Sequence, residues 1–318
     1  MKKRNWKKIF IITGSVLGVL IITAVIGLSL VVGKMAAEGL LYQNAGNDTK
    51  TNSIKQLEVW GYDLEGFRAE YPGQDFTVEA KDGVIVPVTY YEVQPGVATV
   101  ILVHGAGGDR VCVAPLAELY LENGWNVLAF DQRGSGDNSD DKVSFGYFEA
   151  RDVEALVDYA VKELQAEKVV VHGQSMGGAT AALYAATDHA KENLDAAVLD
   201  SPVDSMDRMF RGVFEQMEGS EDIPTDYVVF CGDWYLKLFY GFSFADAEVL
   251  ERVKEIQVPT QVIISEKDEL CLPEIMEELY NNIGAADKSL VRVDSEHIEG
   301  AIDDPQGYID QVLTFIEK

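Results

Sequence analysis

The sequence predicts an α/β fold built on a mostly parallel sheet, and three observations predict it. Two strand-like runs at 75–80 and 84–93 flank the turn residues Lys81-Asp82-Gly83 and read as a hairpin. From residue 99 onward, short β-branched runs alternate with helical segments, which is the pattern of a sheet covered by helices on both faces. At 168–183 an apolar run, a serine between glycines and an Ala-rich segment read as strand, tight turn and helix. A chain of 318 residues is long enough to bury one large core and to carry one insertion.

Six further runs, 99–103, 126–130, 168–171, 196–199, 260–264 and 289–293, are short, β-branched and of the fully buried type. With the hairpin they make eight strands. Between them Val153, Leu156, Val157, Ala160, Val161 and Leu164 fall on one helical face. Pro115, Pro273 and Pro305 suit the first turns of other helices, where a missing N–H costs nothing.

Before the domain lies a 24-residue run, 9–32, without a charged residue, and about 20 apolar residues suffice to span a bilayer. It is longer than the apolar region of a cleaved signal peptide, about 7–15 residues. Lys2, Lys3, Arg4, Lys7 and Lys8 precede it, so the positive-inside rule predicts a cytoplasmic N-terminus, an uncleaved signal anchor and a domain across the cell membrane. Residues 1–40 are therefore read as basic tail and transmembrane anchor, 41–74 as stalk and lead-in, and 75–318 as the folded domain. The formal net charge is −27, and residues 41–318 hold 20 basic against 52 acidic residues with no basic cluster. That balance excludes nucleic acid as a partner and fits a solvated exterior. Three cysteines, Cys112, Cys231 and Cys271, make neither a disulfide framework nor a metal pattern, although one Cys231–Cys271 bridge is open to an exported domain.

Residues 203–257, after the sixth strand, break the strand–helix alternation with ten aromatic residues, among them Phe210, Phe214, Tyr227, Phe230 and Trp234, and with Met206, Met209 and Met217. The segment reads as a helical insertion, either packed on the sheet or acting as a lid over an apolar pocket.

The chemistry centres on Gly173-Gln174-Ser175-Met176-Gly177. A serine hydroxyl needs a base, an orienting acid and an oxyanion hole. Four histidines leave one candidate base. His172 sits on the strand entering the turn, His189 lies 14 residues beyond the serine, and His104 belongs to a glycine loop. His297 follows the last strand. The acid is expected after the seventh strand, where Asp268 is the choice and Glu266 and Glu269 are rivals, with Asp200 as a further alternative. Oxyanion donors are expected from the N–H of Met176 and from the loop His104-Gly105-Ala106-Gly107-Gly108, with Ala106 preferred and Gly105 next.

These motifs, with Asp131-Gln132-Arg133-Gly134-Ser135-Gly136 and Asp268 followed by Pro273, resemble the α/β-hydrolases. The likeness is closest to the bacterial branch grouped with serine aminopeptidase-like and prolyl-oligopeptidase-like hydrolases. The resemblance covers 75–318 in the order serine, acid, histidine. It implies Ser175 as nucleophile, Asp268 as acid and His297 as base, a structural role for 131–136, and no metal or organic cofactor. Glu296 departs from the small residue common before the histidine, and an added carboxylate would raise the histidine's pKa. The expected activity is cleavage of a small-molecule ester through an acyl-enzyme. A peptide or other amide, an acyl acceptor in place of water, or a non-catalytic tethered binding module are the alternatives.

Overall fold

The computed structural model describes residues 6–215 and 223–318. Lys2, Lys3, Arg4 and Met217, used above, lie outside the described residues. Eight strands, β1 (Gln74–Glu79), β2 (Ile85–Tyr91), β3 (Thr99–Val103), β4 (Asn126–Phe130), β5 (Val169–Gln174), β6 (Ala196–Asp200), β7 (Thr260–Ser265) and β8 (Lys288–Val293), form one sheet in the order β1-β2-β4-β3-β5-β6-β7-β8. The β1–β2 and β2–β4 pairs are antiparallel, and every other pair is parallel. This is the α/β-hydrolase fold, with helices on both faces of the sheet.

The helices, in chain order, are α1 (Trp6–Leu41), α2 (Thr49–Val59), α3 (Leu64–Glu70), α4 (Ala114–Glu122), α5 (Glu149–Lys162), α6 (Met176–Ala185), α7 (Asp188–Asn193), α8 (Met206–Glu215), α9 (Thr225–Phe239), α10 (Val249–Arg252), α11 (Pro273–Asn282), α12 (Gly300–Asp303) and α13 (Pro305–Ile316). Pro115, Pro273 and Pro305 all stand in first turns. The chain falls into two compact units: residues 1–40 with 210–243, and residues 41–209 with 244–318.

In the larger unit every residue of β3, β4, β5, β6 and β7 is buried, because both faces of the sheet are covered. Val100 and Leu102 of β3, Val127 and Ala129 of β4, Val170 and Val198 share one core with Leu116 and Tyr120 of α4 and Ile309, Val312 and Phe315 of α13. The side chains between them in sequence project to the other face, where α6 packs on β5. Each such Val or Leu contributes about 1.5–3 kcal/mol by leaving water. On α5, Val153, Leu156, Val157 and Ala160 are buried as their spacing predicts, but Val161 is exposed and the helix ends before Leu164.

Residues 41–74, read from sequence as stalk and lead-in, form α2 and α3. Leu57 and Phe67 are buried there, and Phe67 joins the core beneath α4. The aromatic-rich stretch 203–257 divides between the units at 210 and 243.

In the smaller unit, α1 is long and apolar enough to cross a membrane, and most of its large apolar side chains are exposed. It runs beside α9. A Cβ on Gly33 would lie 2.4 Å from the Cys231 carbonyl oxygen, and one on Gly232 would lie 3.2 Å from Cβ of Ala36.

Candidate active site

β5 sits at the middle of the sheet and delivers Ser175 at its C-terminal tip, where the chain turns directly into α6. Ser175 has φ 56° and ψ −120°, a conformation that costs a non-glycine residue strain and that the flanking packing must hold in place. The glycines permit that packing. A Cβ on Gly173 would stand 2.0 Å from the Gly177 carbonyl oxygen, and one on Gly177 would stand 2.0 Å from that of Val103. The Ser175 amide donates to the Asp200 carbonyl at 2.9 Å, which ties the turn to the neighbouring strand.

Two loops on the same sheet edge complete the group. His297 follows β8, and its Nε2 lies 2.8 Å from Ser175 Oγ. Its Nδ1 lies 2.6 Å from Asp268 Oδ2, in the loop after β7. Asp268 Oδ1 accepts the Leu270 and Cys271 amides, both at 2.8 Å. Burial acts to raise the Asp268 pKa, but the hydrogen bond from His297 and those amides outweigh it and hold the carboxyl below its ordinary value. An ionised Asp268 requires the imidazole proton on Nδ1, which leaves Nε2 to accept from the serine hydroxyl.

The rival acids stand apart from this arrangement. Glu266 and Glu269 are exposed. Asp200 is buried, and its Oδ2 accepts from Tyr308 Oη at 2.8 Å and from Gln174 Nε2 at 3.0 Å. Burial pushes its pKa up, against those two donors. Glu296 is exposed, and its carbonyl accepts the Glu299 amide.

The other histidines are structural. His172 is fully buried in β5 between the hydroxyls of Tyr120 (3.0 Å) and Tyr308 (3.1 Å), and burial drives its pKa down to about 3. His104 is buried, with Nδ1 against the Gly105 carbonyl at 2.7 Å and Nε2 accepting the Gln132 amide at 3.0 Å; burial lowers its pKa too. His189 pairs with Tyr184 at 2.9 Å. The 131–136 segment braces the site. Gln132 accepts from Thr180 of α6 at 2.6 Å, and the buried Arg133 pairs with Asp152 at 2.7 Å and Asp82 at 3.0 Å. Cys112, Cys231 and Cys271 are free thiols, and burial pushes that of Cys112 up to about 12.

Met176 is the first residue of α6, so its N–H has no acceptor within the helix. Gly105 abuts Ser175, since a Cβ there would be 3.4 Å from Ser175 Cβ. Ala106 follows it in the wall of a cavity of about 360 Å³ that reaches His297.

Sequence reading missed one side of that cavity. Asn52, Ser53, Gln56 and Trp60, from α2 and its C-terminal end, line it together with Ile298 and Glu299. Ser53 Oγ accepts the Asp109 amide at 2.8 Å, Asn52 Nδ2 donates to the Gly107 carbonyl at 3.3 Å, and Trp60 Nε1 donates to Glu299 Oε1 at 2.9 Å. The signal was present in the spacing of Ser53, Gln56, Leu57 and Trp60 behind the N-cap Asp48.

Comparison with known proteins agrees with this architecture. A family model described as alpha/beta hydrolase fold matches residues 98–225. The chain is 24% identical to the uncharacterized protein YqkD of Bacillus subtilis over 321 residues, 98% of each chain. It is 33% identical over 104 residues to a proline iminopeptidase of Saccharolobus solfataricus, which covers 32% of this chain and 33% of that one. Among solved structures, the Pyrococcus furiosus esterase Pf2001 superposes with a TM-score of 0.63 at 23% identity, covering 80% of this chain and 95% of its own.

Proposed function

We propose that this member of the α/β-hydrolase superfamily is a membrane-anchored serine hydrolase that cleaves carboxylic esters through an acyl-enzyme. The observation that carries the reading is the continuous hydrogen-bonded chain from Ser175 Oγ through His297 to Asp268. Ser175 Oγ attacks the ester carbonyl carbon while His297 Nε2 takes its proton, and Asp268 stabilises the imidazolium that forms. The N–H groups of Met176 and Ala106 receive the negative charge on the carbonyl oxygen. As the tetrahedral adduct collapses, His297 returns the proton to the departing alkoxide, which leaves as an alcohol. A water molecule then repeats the sequence on the acyl-enzyme, giving a carboxylic acid and the free serine. No metal or organic cofactor takes part.

The esterase named among the structural neighbours favours an ester, and the local likeness to a proline iminopeptidase keeps an amide as the second reading. A fluorophosphonate probe tests the nucleophile: labelling should be lost in Ser175→Ala, and an unlabelled folded wild type would overturn the assignment. A p-nitrophenyl ester chain-length series run beside aminoacyl-p-nitroanilides separates the two substrate classes. The anchor reading rests on the length and composition of α1, and the orientation, with the N-terminus in the cytoplasm and the catalytic domain outside, is proposed from the basic residues before it. Protease digestion of intact spheroplasts checks it, because the domain should be cut without lysis.

A further inference from the structure

We infer that the first half of one face of α9, carrying Phe230 and Trp234, docks into the outer interface of the lipid bilayer beside the anchor; the inference rests on the reading of α1 as a membrane span. Phe230, Trp234 and Leu238 recur every four residues and form a single stripe, 59%, 51% and 62% exposed. Left in water, such a stripe of large apolar side chains is costly. Its position along α1 names what covers it.

Three contacts fix the level of α9 on α1. Ser29 Oγ lies 2.9 Å from Tyr227 Oη, and it also lies 2.9 Å from the Val25 carbonyl, to which it donates. The Ser29 proton is thus committed to α1 itself, and Tyr227 is the donor to Ser29. One turn later Gly33 admits the backbone of Cys231, and Ala36 then meets Gly232. Contacts therefore advance together along both helices, and the two run side by side in the same direction. Ser29 stands three residues, about 5 Å, inside Val32, the last large apolar residue before Lys34. Tyr227 is consequently at the depth where lipid tails give way to headgroups, the zone in which Tyr and Trp are enriched.

At about 100° per residue, the exposed stripe is turned only about 60° from the Tyr227, Cys231 and Tyr235 row that faces α1. At 1.5 Å per residue Phe230 and Trp234 lie about 5 and 11 Å beyond Tyr227, so lipids surrounding the anchor would meet them at the headgroup level, while Leu238, about 17 Å beyond Tyr227, rises clear of the bilayer. The charges at the two ends of α9 suit the placement. Asp226, next to Tyr227, is paired with Arg211 at 2.7 Å, and Lys237 extends into solvent one turn above Trp234, within reach of lipid phosphates. The tether and the stripe together make a two-point attachment, a transmembrane helix plus an aromatic edge.

Tryptophan quenching in vesicles tests this with the full chain. The protein is reconstituted in phosphatidylcholine carrying bromine either near the headgroup or near the chain ends. The emission of Trp234 is obtained as the difference between wild type and Trp234→Phe, and that of Trp6 from Trp6→Phe. Headgroup-proximal bromine should reduce the Trp234 signal roughly two-fold, and terminal bromine should reduce it less. A second reporter, Phe230→Trp in the Trp234→Phe background, should be quenched at least as strongly. Quenching of Trp6 without quenching of either stripe position would overturn the docking and leave the anchor standing. Absence of quenching at all three would instead refute the anchor reading, and the docking with it.

Discussion

Asp268 and Asp200 are both buried aspartates at the C-terminal ends of neighbouring strands, and their surroundings drive them to opposite protonation behaviour. Asp268 meets an imidazole and two amides that reward its charge. Asp200 meets two donors on one oxygen, while Oδ1 is buried without a hydrogen-bond partner. Asp268→Asn should lower kcat by about 10⁴ by presenting the wrong donor to His297. Asp200→Asn keeps an acceptor for Tyr308 and Gln174 and should cost less than about ten-fold. Reversed results in steady-state ester hydrolysis would reassign the acid. His172 supports a pH prediction. Its folded pKa of about 3 lies below the ordinary 6.5, so between those values the unfolded chain binds a proton that the folded chain does not. Stability is thus lost as pH falls through that window, by about 1.4 kcal/mol per pH unit for one such group. Denaturant titrations from pH 6.5 to 5 should show a steeper loss in wild type than in His172→Gln, and equal slopes would refute the argument.

The junction of β5 with α6 depends on backbone contact that any added carbon blocks. Gly173→Ala should leave little folded protein, because its Cβ would meet main chain rather than a movable side chain; soluble yield and circular dichroism report the outcome. Elements of this kind were legible in the sequence because their cause is local. β-branched runs gave all eight strands to within a few residues, and the glycines around Ser175 gave the turn. Asp268 was singled out among nearby carboxylates by its place after β7 and by the family resemblance. What resisted reading depends on distant partners. α2 and α3 bury few apolar residues, so their composition resembles that of a linker, and only tertiary contact reveals that Asn52, Gln56 and Trp60 form a cavity wall. That wall carries its own prediction. Trp60→Ala should raise KM several-fold while the fluorophosphonate labelling rate stays near wild type, since the ring lines the cavity and its N–H is bonded to Glu299 rather than to the proposed triad. An equal fall in kcat and unchanged KM would contradict it.

Across the whole molecule, an acidic body of 20 basic and 52 acidic residues follows a basic, apolar leader, so charge and hydropathy are segregated along the chain. The body should not adhere to anionic lipid by electrostatics, which leaves α1 and the α9 stripe to hold it at a membrane. Full-length protein should accordingly remain in the pellet after alkaline carbonate extraction and be released only by detergent; release by carbonate alone would count against a spanning helix. The spacing of the proposed triad has a further consequence, for the order in which a working site would come into being. Ser175 and His297 are separated by 122 residues, with three strands of the sheet, β6, β7 and β8, made between them. At about 5–20 residues per second, synthesis delivers His297 roughly 6–24 s after Ser175. Through that interval the nascent chain would carry an ordinary alcohol, slow to take up an acyl group, and on the proposed mechanism it becomes a nucleophile only when the loop after the last strand docks.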